Sequence, residues 1–199
     1  MTGVMFLDFI WLVPAFPLLG AVILLCVGKR IGEPKAGWIA TGAMAASAIS
    51  AIAMFAKLAS LHSEERFHAV ELFEWFRAGD FRAGMTLLLD PLSAAFIVFI
   101  TICATLIHLY SVGYMKGDER YSRFFAYLNL FAASMLILIL GGNFLVTFLG
   151  WEGVGLCSYL LISFWFERSS AAAAGKKAFI TNRVGDFGFM LAAFLAFDR

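Results

Sequence analysis

The chain has 199 residues, of which 62% are apolar and 15% charged, and its mean hydropathy is +0.86. Soluble domains carry about 45–50% apolar and about 25% charged residues, so the composition excludes a soluble globular domain and indicates an integral membrane protein. Lys and Arg number 15 against 14 Asp and Glu; a net charge of +1 excludes nucleic acid as a partner, because phosphate contacts need surplus basic side chains on one face.

A membrane span needs about 20 mostly apolar residues. Six stretches supply them, near 6–28, 37–59, 91–112, 124–140, 144–166 and 178–197. The predicted fold is all-α and polytopic, a single transmembrane domain over residues 1–199. The first stretch reads as a span and not as a cleaved signal. Its leading residues hold Asp8 and no Lys or Arg, whereas a secretory signal opens on a basic region.

Between spans two and three lies the longest polar connection. Val70–Phe76 is apolar and aromatic, with Glu71 and Glu74 interspersed. Ala78-Gly79-Asp80 reads as a turn, and Phe81, Ala83, Met85, Leu87 and Leu89 then alternate with Arg82, Gly84 and Thr86. That alternation about a glycine turn predicts a β-hairpin. An isolated hairpin is marginal in water, so this one is expected on the membrane face or against a partner. Asp90-Pro91 predicts a helix start, with Asp90 as N-cap and Pro91 at the first helical position. The sixth stretch is the least apolar, because Arg183 and Asp186 lie within it.

The other charges sort by side. Lys29, Arg30, Lys35, Lys116, Arg120, Arg123, Arg168, Lys176 and Lys177 fall in the first, third and fifth connections or at their edges. The opposite face has Lys57, Arg66, Arg77, Arg82 and Arg199, interleaved with acidic residues. The positive-inside rule then places the N-terminus outside and the basic loops in the cytoplasm. Trp11, Trp38, Tyr110, Tyr114 and Trp165 fall near span ends, where amphipathic rings sit at headgroup level.

No Walker lysine loop, GxGxxG, CxxC or HExxH pattern occurs, and no soluble catalytic or metal site is expected. Cys26, Cys103 and Cys157 are scattered through apolar runs and read as small packing residues. Ionisable residues inside spans are the sharp signal, since they are costly there and mark function by default. Glu152 lies nine residues after Asn143 and is the only charged residue from Phe124 to Phe166. That spacing puts it about 13 Å along the fifth helix, near the midplane. Desolvation disfavours the anion and a nearby cation favours it, which is the physics of a proton relay. The competing reading is a carboxyl bonded to backbone for packing alone.

Arg183 and Asp186, at i and i+3, share a helix face and can pair, with Lys176 and Lys177 a turn or two earlier. The pair reads equally as a switching element or as a neutralised anchor. His108, near the end of span three, suits proton transfer by its near-neutral titration, or acts as an interfacial polar anchor. Gly150, Gly153 and Gly155, with Cys157 and Ser158, form a small-residue face suited to close helix approach.

The stretch from Phe148 to Ile162, Phe-Leu-Gly-Trp-Glu-Gly-Val-Gly-Leu-Cys-Ser-Tyr-Leu-Leu-Ile, resembles subunit L (mitochondrial chain 5) of NADH–quinone oxidoreductase, respiratory complex I. Leu89-Asp90-Pro91-Leu92-Ser93, Tyr121-Ser122-Arg123-Phe124-Phe125-Ala126-Tyr127, Lys177-Ala178-Phe179 and Asn182-Arg183-Val184-Gly185-Asp186 follow in family order. The resemblance implies an antiporter-like, proton-translocating subunit of the membrane arm, partnered by other membrane-arm subunits, the lipid bilayer and protons. It implies that Glu152 is the midmembrane glutamate of a Lys–Glu pair, and that Arg183 and Asp186 belong to a charged axis. Lys177, at the entrance of the sixth span, and His108 are the further relay candidates that the residues themselves offer. The resemblance also implies that this chain binds no cofactor, since FMN, iron–sulfur clusters and quinone lie in other subunits. Family members are much longer, and their seventh helix carries the lysine partner of Glu152; the resemblance therefore implies an N-terminal fragment. The alternatives are a subunit of a multisubunit cation/proton antiporter or membrane-bound hydrogenase, and a non-conducting membrane scaffold. The expected location is the bacterial plasma membrane, or otherwise the mitochondrial inner membrane.

Overall fold

A computed structural model of the chain describes residues 5–79 and 81–197. A 3-10 turn, Leu7–Trp11, leads into α1 (Leu12–Ile31), followed by α2 (Lys35–Ala59). Strands β1 (His68–Ala78) and β2 (Phe81–Leu89) precede α3 (Pro91–Tyr114), α4 (Tyr121–Leu140), α5 (Phe144–Ile162) and α6 (Ser169–Phe197). Among the described residues, six helices are long and apolar enough to cross a membrane. The chain is a multi-pass membrane protein.

The hairpin is antiparallel, with His68 opposite Leu89 and Val70 opposite Leu87. Gly79 takes φ +61° between the strands, a left-handed conformation that glycine adopts without a Cβ penalty; Asp80, the last residue of the expected turn, lies outside the described residues. Leu87 and Leu89 are buried and Met85 half-buried, with Ala83 buried nearer the turn. This period-two burial lays β2 over one end of the bundle, where Leu87 and Leu89 share a core with Leu7, Ile10, Leu140 and Val146. The hairpin thus solves its marginal stability by capping its own helices.

Asp90 caps α3 as expected. Its Oδ1 accepts from the Ser93 backbone N–H at 2.7 Å, while Ser93 Oγ accepts from the Asp90 N–H at 2.9 Å. Asn143 does the same for α5, accepting from the Val146 N–H at 3.0 Å, and its amide also donates to the Gly84 carbonyl at 2.8 Å. One side chain therefore starts α5 and ties it to the hairpin.

Helix boundaries depart from the sequence expectation chiefly around the fifth connection. Helix α5 stops at Ile162 and not at 166, and α6 begins at Ser169 and not at 178. Ser163 Oγ donates back to the Tyr159 carbonyl at 2.6 Å, and the following run Ala171–Ala174 favours helix strongly. Lys176 and Lys177 consequently lie on α6 itself, above the apolar stretch. Helices α1 and α2 also run on beyond 28 and start before 37, at Ile31 and Lys35.

The odd connections meet at one face. Glu33 Oε2 accepts from the Gly117 N–H at 2.9 Å, Trp165 donates to Asp118 at 3.0 Å, and Arg120 pairs with Glu167. At the other face Asp8 and His68 meet at 2.9 Å, and the Gly142 N–H donates to the Thr86 carbonyl at 2.9 Å. The basic clusters thus gather on a single side, as the charge pattern requires. Helices α4 and α5 approach closely because Gly150 and Gly153 face α4: a Cβ at Gly150 would collide with the Leu138 backbone, and one at Gly153 would lie 2.6 Å from Ser134 Oγ.

Candidate functional site

Glu152 on α5 forms an ion pair with Arg183 on α6. Arg183 Nη1 also lies 3.2 Å from Asp186 Oδ2, one turn further along the same helix. One guanidinium is therefore shared by two carboxylates. Trp151 donates its indole N–H to Asp186 Oδ1 at 2.7 Å, so the residue beside Glu152 on α5 ties the second carboxylate into the site. The Arg183 guanidinium also stacks 4.7 Å over the Phe179 ring.

Burial grades across this cluster. The Asp186 side chain is 5% exposed, that of Glu152 25% and that of Arg183 47%. Glu152 Oε2 is held by Arg183, while Oε1 is buried without a hydrogen-bond partner. Beside these groups lies a cavity of about 230 Å³, lined by Met135 and Leu138 of α4, Glu152 and Ser158 of α5, and Asn182 and Arg183 of α6. With both carboxyls ionised, the Glu–Arg–Asp cluster carries one surplus negative charge. It can accept one proton or one further cation without leaving an unmatched positive charge.

In the sequence Glu152 and the Arg183–Asp186 pair are separate features; the structure joins the two into one site. It does not bring Lys177 or His108 to it. Lys177 is exposed on α6, six residues before Arg183, about 9 Å toward the basic face. Neighbouring Lys176 lines a second cavity at that face together with Arg123 and Tyr159. His108 is buried between α3 and α4, its Nδ1 donating to the Ala104 carbonyl at 2.7 Å. Trp151 was missed as a functional residue. Its position beside Glu152 was visible in the sequence, but its aim at Asp186 depends on how α5 and α6 cross.

A multi-pass membrane protein with a charged site shared between two helices is the class that fold and geometry define. Residues 75–125 match the family described as the chain 5 N-terminus of NADH-ubiquinone oxidoreductase (complex I), and residues 141–199 match the transmembrane family of NADH:quinone oxidoreductase and Mrp antiporters. The chain is 45% identical over 188 residues to NADH-quinone oxidoreductase subunit L of Mycobacterium tuberculosis H37Rv, covering 94% of this chain and 30% of that protein. Subunit L of Escherichia coli K12 is 40% identical over 183 residues, covering 92% and 30%. Among solved structures, the Mrp complex from Dietzia sp. DQ12-45-1b superposes with a TM-score of 0.78 at 23% identity, over 96% of this chain and 20% of that one; this likeness concerns the fold. Over nearly its whole length the chain is similar to complex I subunit L and chain 5 sequences. It spans about 30% of the length of these curated relatives.

Proposed function

We propose that this chain forms part of a proton-translocating membrane-arm subunit of an NADH–quinone oxidoreductase, in which Glu152 takes up and releases a proton. The observation that carries this reading is the asymmetry of its carboxylate: Oε2 is held by Arg183, while Oε1 is buried and unpartnered beside a cavity. Oε1 is the atom that receives the proton. Once neutral, Glu152 loses its charge attraction for Arg183, and the guanidinium turns fully to Asp186, which Trp151 holds in place. Release of the proton restores the anion and draws Arg183 back. Both charge states are thereby matched, as a carrier requires and as an isolated buried carboxylate is not.

Lys177 stands on the basic side of this site and His108 lies apart from it, both as candidates for proton delivery. Quinone reduction, and the FMN, iron–sulfur clusters and quinone that serve it, belong to other subunits in this reading. The partners are neighbouring membrane-arm subunits and lipid. The N-terminus faces outward and the basic loops face the cytoplasm of a bacterial cell, by the positive-inside rule. Because one matching family includes Mrp antiporters, the second reading is a subunit of a multisubunit cation/proton antiporter, built on the same carboxylate.

The test is proton uptake by vesicles holding the whole complex. Glu152→Gln preserves shape and removes titration, so pumping stops while assembly continues; Glu152→Asp retains a carboxylate and part of the pumping. Wild-type proton-to-electron stoichiometry in Glu152→Gln removes the relay. Cation-dependent proton exchange without NADH oxidation selects the antiporter.

A further inference from the structure

A second buried polar site lies on the far side of α4 from Glu152. His108 on α3 is 1% exposed and Asn129 on α4 is 0% exposed. Residue counting from the ends of α3 and α4 puts both about 9–12 Å below the basic face. His108 Nδ1 lies 2.7 Å from the Ala104 carbonyl oxygen. A carbonyl only accepts, so Nδ1 carries the proton in the neutral ring and Nε2 carries the lone pair. Asn129 lies one helical turn beyond Phe125, whose ring stands 6.3 Å from that of His108, so Asn129 shares the α4 face turned to His108. Yet His108 Nε2, Asn129 Nδ2 and Asn129 Oδ1 are all buried without a hydrogen bond of good geometry.

Three unsatisfied polar atoms on two facing side chains are expensive in a membrane interior. A carboxamide is suited to this ring because it presents a donor and an acceptor in the same volume. Its N–H can donate to the neutral ring, and after rotation its oxygen can accept from a protonated Nε2. The wall on the α1 side is Gly20, where a Cβ would lie 2.6 Å from Asn129 Nδ2, so only glycine there leaves the amide its place. Phe125 closes the ring side, 6.3 Å away centre to centre. One turn before Phe125 on α4, the Tyr121 hydroxyl donates to the Val112 carbonyl at 3.4 Å.

We infer that His108 and Asn129 form a protonation site in which Nε2 binds a proton delivered by water and the Asn129 amide reverses to serve both charge states. On binding, the Nε2 lone pair forms an N–H bond; on release the proton returns to water and the amide N–H again faces the ring. This goes beyond the Glu152 reading and does not rest on it, since the two sites share no residue.

Solid-state NMR on the full chain in phospholipid bilayers tests the inference. The chain carries 15N histidine and 15N asparagine in a His62→Gln, His68→Gln background, which leaves His108 as the one imidazole. At alkaline pH the expected ring is protonated at Nδ1 and bare at Nε2. On acidification Nε2 gains its proton, and the Asn129 amide resonances shift with the same midpoint. Asn129→Leu assigns those resonances by their loss, while the neutral tautomer, fixed by Ala104, persists. An Nε2-protonated neutral ring overturns the inference. So does a ring that takes up no proton across the range in which the chain stays folded, or one that titrates while the amide resonances stay still.

Discussion

Trp151 donates its indole N–H to Asp186 at 2.7 Å, so the residue preceding Glu152 holds the carboxylate that competes with Glu152 for Arg183. An α5 side chain thus positions an α6 carboxylate beside Arg183. Trp151→Phe keeps an aromatic ring against Phe189 but leaves a buried carboxylate oxygen without its donor. The expected cost is about 1–3 kcal/mol of stability, read as a lower thermal midpoint in lipid nanodiscs. An unchanged midpoint would remove Trp151 from the site.

Arg183 and Asp186 act as a unit in this geometry, so their substitutions should not add. Neutralising Arg183 leaves two carboxylates without their cation, whereas neutralising Asp186 leaves Arg183 to Glu152 alone; reversing both charges keeps an opposite pair at i and i+3. A coupling of about 0.5–3 kcal/mol is expected from the double-mutant cycle, measured by unfolding. Strict additivity would make the 3.2 Å contact incidental.

At the basic face, Arg120 hydrogen bonds hold the Glu167 carboxyl down from its ordinary 4.5 to about 2. The link between the third and fifth connections is therefore fully formed above about pH 4.5 and lost as pH falls toward 2. In Arg120→Gln, Glu167 should titrate back in the ordinary carboxylate range, as followed by 13C carboxyl NMR. The same low midpoint in the variant would assign the effect to another group.

The membrane class, the six spans, the hairpin and the Asp90 cap were legible because each follows from local sequence: apolar length, alternation, turn and capping chemistry. Glu152, Arg183 and Asp186 stood out for a similar reason, as charges in apolar surroundings. Their union was not legible, since it depends on where α5 and α6 cross. The start of α6 at Ser169 was obscured because Lys176 and Lys177 read as loop charges, although on a helix their long stems can reach water. The burial of His108 against Asn129 was also hidden. A histidine followed by Tyr110 near a helix end looks interfacial until α4 is packed over it.

Infrared difference spectroscopy of the whole complex reads directly the proposed protonation change of Glu152 during turnover. NADH-driven turnover should produce a protonated-carboxyl C=O band in the wild type that moves on deuteration and is absent from Glu152→Gln. The band should return, shifted in frequency, in Glu152→Asp. The same band at full intensity in Glu152→Gln would assign it to another carboxyl and would contradict Glu152 as the proton carrier.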